Sequence, residues 1–342
     1  MGAARSGAGE PQPKARRADV VKGAERSEAG EAALPLLVLV GPTAVGKTDV
    51  AVRLAARLPL EAVSADSRQV YRGMDIGTGK PTPAERAALP HHLLDVVDPH
   101  ERYHAARFRR EALEAIDAIR ARGRLALVVG GTGLYVRALL KGLHPAPPAD
   151  PTVRRELEAS LAAHGPEALH RRLAARDPRA AARLHPRDHV RIVRALEVDV
   201  LGGRGAERAD WARAVPPFRL LMVGLRQPRE ALNRRIGDRV RGMVARGMMA
   251  EVRQLLAAGY DDALPAMGGI GYRQFAAVLR GAMSEVDAVR LMIRDTTRYA
   301  KRQMTWFARD PEIRWLDVDA VGGSAGAAAA IAGWAREEGL TR

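Results

Sequence analysis

The chain has 342 residues, 47% of them apolar, enough for one large core or two domains, and no apolar run reaches the roughly 18 residues that span a membrane. It contains no cysteine, which excludes disulfides, cysteine-liganded zinc and thiol catalysis and suits the cytoplasm. Its net charge of +15 concentrates between Asp150 and Gln254, where 22 Arg against 13 acidic residues leave +9; a nucleic-acid partner or the Arg-rich usage of a GC-rich genome would each explain this.

Residues 1–33 read as a disordered tail. Met1 to Glu31 is rich in Ala, Gly, Arg and Glu and has no continuous apolar core, so it is not a secretory signal. It would alternatively serve as an arm that orders on a partner. Leu34 to Val40, broken only by Pro35, predicts a buried parallel strand, and Asp49 to Leu58 predicts a helix with Val50, Leu54 and Leu58 on one face. Between them stands Gly41-Pro42-Thr43-Ala44-Val45-Gly46-Lys47-Thr48, of the phosphate-loop form G-x-x-x-x-G-K-[ST] in the strand–loop–helix context that form requires. Its backbone N–H groups and the helix N-terminus cradle oxyanions, Lys47 adds a mobile charge, and Thr48 can hold Mg²⁺ against phosphates. The motif predicts a bound di- or triphosphate without saying what becomes of it.

Leu60 to Ala65 predicts a second strand, ending at Asp66-Ser67. Tyr103 to Arg122 predicts a helix stopped by Gly123, and Leu125 to Val129 a third strand running into Gly130-Gly131-Thr132-Gly133 and a helix from Leu134 to Lys141. This alternation predicts an α/β fold, a parallel sheet covered by helices. Composition then shifts at His144-Pro145-Ala146-Pro147-Pro148, a linker, and Asp150 to about Arg213 reads as Arg-rich helices with Leu157, Leu161, Leu169 and Leu173 on apolar faces. Phe218 to Leu225 resumes the sheet, helices follow to about Arg309, and Trp315 to Val318 is a candidate last strand. The predicted division is therefore a core of residues 34–144 and 216–318 with C-terminal helices, a helical insertion at 145–215, and a low-complexity helix or tail at 319–342.

Ligands of open α/β sheets bind beyond the carboxyl ends of the strands. The phosphate loop, Asp66-Ser67-Arg68-Gln69 and Gly131-Thr132-Gly133 all fall there. Asp66 would hold Mg²⁺, accept a proton from a substrate amine or hydroxyl, or simply cap a helix. Thr132 can approach a ligand closely or serve the turn alone. Further along, Arg191 and Arg194 share a helix face. Gly268 to Gln274 forms a glycine-rich turn bearing Arg273. Arg298 to Phe307 interleaves basic and aromatic residues suited to phosphates and bases.

Together these residues resemble the tRNA dimethylallyltransferase family, bacterial type, in order and at family spacing from about Leu36 to Trp315. The resemblance rests on the phosphate loop, Asp66 to Tyr71, Gly73 to Pro81, His91 to Asp95, Phe108-Arg109, Gly130 to Tyr135, Arg191 to Val198, Gly271 to Gln274 and Ala300 to Gln303. It implies a P-loop NTPase-like sheet with a helical insertion that binds tRNA. It also implies transfer of a dimethylallyl group from dimethylallyl diphosphate to the exocyclic amine of the adenosine just 3′ of the anticodon. On that resemblance Gly41 to Thr48 and Arg273 would bind the diphosphate, with Mg²⁺ on Thr48. Lys47 would neutralise the leaving group, Asp66 would take the amine proton, and Thr132 would hydrogen-bond near the amine. Ser67, Arg68, Gln69, Arg154 and the run Val190, Arg191, Ile192, Val193 and Arg194 would contact tRNA, along with Asp66 and Thr132. Val190 stands where many members carry glutamine. A monomer is expected, with no membrane partner. An adenylate isopentenyltransferase, a phosphate-loop small-molecule kinase and a non-catalytic RNA-binding protein are the alternatives.

Overall fold

The computed structural model describes residues 33–143, 146–147, 149–202 and 218–341. All but the last residue of the expected tail at 1–33, three linker positions and residues 203–217, which run from the expected insertion into the resumed core, lie outside the described residues. Strands β1 (Leu34–Val40), β2 (Leu60–Ala65), β3 (His91–His92), β4 (Leu125–Gly130), β5 (Phe218–Arg226) and β6 (Arg314–Asp317) form one sheet in the order β3-β2-β4-β1-β5-β6. Every pairing is parallel. Leu36 to Val40 are wholly buried because both faces are covered, which is why β1 reads as unbroken apolar residues rather than an alternation.

Successive side chains of β1 still diverge to opposite faces. Leu37 and Leu39 pack with helix α1 (Lys47–Ala55) and with α12 (Gly323–Glu337) through Val50, Leu54, Ala327 and Ile331. Leu36, Val38 and Val40 pack with α3 (Ala105–Ala121) and α4 (Gly133–Lys141) through Phe108, Ile116, Tyr135 and Leu139. The alanine-rich end of the chain is thus a core helix and not a tail. Its small side chains at Ala327, Ala328, Ala332 and Ala335 are buried and allow close approach.

A third core lies beyond the strand ends. Helices α8 (Arg229–Ala245), α9 (Met248–Ala257), α10 (Tyr272–Leu279) and α11 (Glu285–Phe307) enclose Val70, Met74, Val240, Met243, Met248, Tyr272 and Met292. The short α2 (Pro83–Ala88), begun by a capping box at Thr82 and Glu85, and the two-residue β3 complete this end. Between α4 and β5, helices α5 (Pro151–Arg176), α6 (Pro178–Arg183) and α7 (His189–Val200) build a small core of their own around Leu157, Leu169, Leu173, Ile192 and Leu196. Helix α5 breaks at Gly165, whose φ of 77° lies in the left-handed region, just before Pro166.

Candidate active site

The loops leaving β1, β2 and β4 stand side by side, because those strands are neighbours. The first is the phosphate loop, closed by Gly46 at φ 99° and continued by α1. Lys47 Nζ donates to the carbonyls of Gly41 and Pro42, both at 2.9 Å. Burial and then the charge of Arg239 push its ammonium down to about 8, against the opposing pull of Asp66. Lys47 and Thr48 line a polar chamber of about 510 Å³ with Thr43, Gly46 and Asp66. Arg235, Arg239 and Arg246 of α8 and its C-cap line the same chamber.

The loop after β2 supplies the carboxylate. Asp66 Oδ1 accepts the N–H of Arg68 at 2.8 Å and of Gln69 at 3.3 Å, so it caps a turn and not the helix expected as the plain alternative. Only one oxygen is used in this way. Oδ2 has no hydrogen-bond partner among the described residues, and Asp66 lines two adjoining chambers. The loop after β4 brings Thr132 beside it. Thr132 Oγ1 accepts the Ser67 N–H at 3.0 Å and lies 3.4 Å from Ser67 Oγ. Tyr299 lies close by; burial, then the Asp66 charge, raises its phenol to about 12 and keeps it protonated.

The second chamber, about 270 Å³, is more apolar, with Val240, Met243, Ile270, Tyr272 and Met292 in its wall. It shares Thr43, Asp66, Thr78, Arg239, Met243 and Tyr299 with the polar chamber, so the carboxylate sits at the junction. The segment Asp75 to Gly77 that borders it is clamped from behind. Glu251 accepts the N–H groups of Asp75, Ile76 and Gly77 at 2.9, 2.6 and 3.1 Å, and the Tyr272 hydroxyl donates to it at 2.6 Å. Buried Lys80 ties the same loop to Asp75, Asp95 and the Tyr71 carbonyl. Gly79, at φ 62°, sits in the left-handed region that favours glycine, and a Cβ there would displace the Arg239 guanidinium.

Several expected site residues are placed otherwise. Arg273 does not reach the phosphate loop: its Nη2 pairs with Asp295 Oδ2 at 2.6 Å on α11, and it lines neither chamber. Gln69 faces the polar chamber, but its amide is spent on Gly79 at 3.1 Å and on the Ser64 hydroxyl at 3.2 Å. Ile192 and Val193 turn into the core of the insertion, 0% and 6% exposed, and present no side chain outward. Arg154 and Arg194 both grip buried Glu197, at 2.8 and 2.7 Å, and Arg194 also reaches the Pro147 carbonyl at 2.7 Å. Val190 and Arg191, by contrast, are exposed. Ser67 and Arg68 line the apolar chamber, and Arg68 Nη1 donates to the Pro265 carbonyl at 2.7 Å. The sequence reading missed Arg235, Arg239 and Arg246. Their signal was available: spacings of four and seven place them on one helix face.

A family model described as IPP transferase matches residues 69–310, and one described as isopentenyl transferase matches residues 34–97. The chain belongs to the IPP transferase family. Among its relatives is a protein of Geobacter metallireducens named tRNA dimethylallyltransferase, 53% identical over 82% of this chain and 92% of that protein. Another of that name, from Thermomicrobium roseum, is 50% identical over 83% of this chain and 86% of its own length. The crystal structure of the full-length tRNA isopentenylpyrophosphate transferase from Bacillus halodurans is similar at 40% identity and a TM-score of 0.65, covering 89% of this chain and 97% of that one. A eukaryotic dimethylallyltransferase, described as acting on tRNA, is 29% identical with a TM-score of 0.69 over 82% of this chain and 73% of that one. The chain therefore shares its α/β fold with these two solved structures.

Proposed function

We propose that this chain transfers a dimethylallyl group from dimethylallyl diphosphate to the exocyclic amine of the adenosine 3′ to the anticodon in tRNA. The observation that carries this reading is a phosphate-cradle chamber opening onto an apolar chamber, with a carboxylate at the junction. The diphosphate would occupy the cradle, where Lys47 and Arg239 neutralise its charge, and the acceptor adenine would enter the apolar chamber after leaving its stack. The amine nitrogen then forms its bond to the allylic carbon as the carbon–oxygen bond breaks. The bonding pair leaves with diphosphate, and the amine proton passes to Asp66 Oδ2. An aromatic amine is a weak nucleophile, so a positioned carboxylate matters. Thr132, oriented by Ser67, would hydrogen-bond near the amine.

Mg²⁺ suits this site. No group of three or more His, Asp or Glu side chains among the described residues could hold a metal. Thr48 at the chamber wall would share the ion with diphosphate oxygens and water, a donor set Mg²⁺ accepts. When bound, the ion would neutralise charge developing on the leaving group. Exposed Arg191 and Val190, with Ser67 and Arg68 at the chamber mouth, would face tRNA. No helix among the described residues is long and apolar enough to cross a membrane. The reading has the protein act as a monomer in the cytoplasm.

Nucleoside mass spectrometry tests it: unmodified tRNA is incubated with protein, Mg²⁺ and dimethylallyl diphosphate, beside AMP as acceptor and ATP as donor. Prenylated adenosine from tRNA alone is expected. Prenylated AMP would move the activity to free nucleotide, and ADP from ATP without prenylation would mean a kinase or NTPase.

A further inference from the structure

The β1–β4 ladder ends at the pair Val40 and Gly130. Beyond it the two catalytic loops diverge, and one side chain from a distant helix spans them. Gln303 of α11 is 5% exposed. Its carboxamide oxygen accepts the Thr43 N–H at 2.9 Å, and its Nε2 donates to the Gly131 carbonyl at 2.9 Å. Thr43 belongs to the phosphate loop, and Gly131 immediately precedes Thr132. A carboxamide is the one ordinary side-chain group that offers an acceptor and an N–H donor side by side with no charge. The seat is tight: a Cβ on Gly131 would stand 2.1 Å from Gln303 Nε2.

We infer that Gln303 is a positioning residue that fixes the phosphate loop against the Thr132 turn, and so sets the alignment of the allylic carbon with the acceptor amine. The inference rests on the prenyl-transfer reading above. Gln303 borders the polar chamber, but its carboxamide is engaged by the Thr43 and Gly131 backbone and not by a reacting atom. It acts through the Thr43 and Gly131 backbone, and misplacement of about 1 Å costs about 10²-fold in rate.

Two substitutions separate positioning from bulk structure. Gln303→Met fills the same space with neither hydrogen bond. Gln303→Glu keeps the acceptor for Thr43 but, when ionised, lacks the donor for Gly131. Both should lower kcat by about 10²-fold at neutral pH; in Gln303→Met the Kd for inorganic diphosphate and for unmodified tRNA should stay within a few-fold of wild type, whereas the negative charge of Gln303→Glu, on the wall of the polar chamber, should weaken diphosphate binding. The ratio of Gln303→Glu to wild-type kcat should recover as pH falls, because the protonated acid regains a donor; the Gln303→Met ratio should stay flat. Gly131→Ala, which displaces the carboxamide with Gln303 intact, should reproduce the kcat loss. Wild-type kcat in Gln303→Met would overturn the inference. So would a loss of diphosphate affinity in Gln303→Met as large as its rate loss, or a Gln303→Glu ratio indifferent to pH. An inactive wild-type protein would instead overturn the prenyl-transfer reading.

Discussion

Asp66→Asn isolates the proposed proton acceptor with little else disturbed. Asparagine keeps the oxygen that accepts the Arg68 and Gln69 N–H groups, at 2.8 and 3.3 Å, so the turn after β2 should hold. What changes is the second oxygen, replaced by an amide nitrogen that cannot take a proton. General-base catalysis contributes about 10²–10⁴-fold, so the rate of the chemical step should fall by about 3–5 kcal/mol in barrier at 1.36 kcal/mol per decade. Diphosphate binding should move the other way. Removing a negative charge beside the chamber relieves repulsion with the phosphates, so affinity at neutral pH should stay level or tighten. Single-turnover prenyl transfer followed by mass spectrometry gives the rate, and calorimetry with inorganic diphosphate gives the Kd. Asp66→Ala also loses the turn cap, so it should be less stable by about 1 kcal/mol. A single-turnover rate within a few-fold of wild type, or a loss of diphosphate affinity matching the rate loss, would refute the general-base assignment.

The ligand-free enzyme should lose the Lys47 charge as pH rises through about 8, whereas the unfolded chain keeps it to about 10.5. Between those values the unfolded state binds more protons, so folded stability should rise with pH there. Diphosphate should restore the proton, and calorimetry in buffers of different ionisation heat just above pH 8 should detect uptake beyond that of Lys47→Arg; equal uptake would contradict the reading. Arg191→Ala, at a side chain 65% exposed, should reduce the salt slope of tRNA binding by about 0.9 for one lost phosphate contact and spare diphosphate affinity. An effect on diphosphate alone would misplace the basic helix. Burial alone would raise the Glu197 carboxyl, but hydrogen bonds from Arg194 and Arg154 hold it below its ordinary value. Its contribution to stability is therefore present at neutral pH and lost as pH falls through that lowered value. Glu197→Ala should cost about 2 kcal/mol, less than the 3–5 kcal/mol of breaking a fully buried pair, because the two arginines are 26% and 36% exposed. Hydrogen exchange should quicken in α5–α7 and not in the sheet; uniform quickening would count against a local hub.

Much of the sheet was legible in one dimension. Apolar runs at Leu34 to Val40, Leu60 to Ala65 and Leu125 to Val129 are long enough to announce buried parallel strands, and the glycine loop between the first strand and its helix announces an oxyanion site. The two-residue β3 was not legible, because His91-His92 has no periodicity of its own and is a strand only by pairing with Ala62 and Val63. Arg273 stands in a motif that suggested an anion, yet Asp295 on another helix takes its charge. Ile192 and Val193 follow the exposed Val190 and Arg191 in sequence but face inward, since helical periodicity sends neighbours to different sides.

The sequence alone determined the class of fold, the phosphate cradle and the strand-end positions of Asp66 and Thr132, because each is written in residues adjacent along the chain. Tertiary structure alone decided which cations face the cradle, placing Arg235 and Arg239 there in place of Arg273. It also decided that Gln303 ties the phosphate loop to the Gly131 turn. The physical reason is that a hydrogen bond or ion pair is chosen by proximity in space, and the packing of helices on the sheet sets that proximity, not the spacing along the chain.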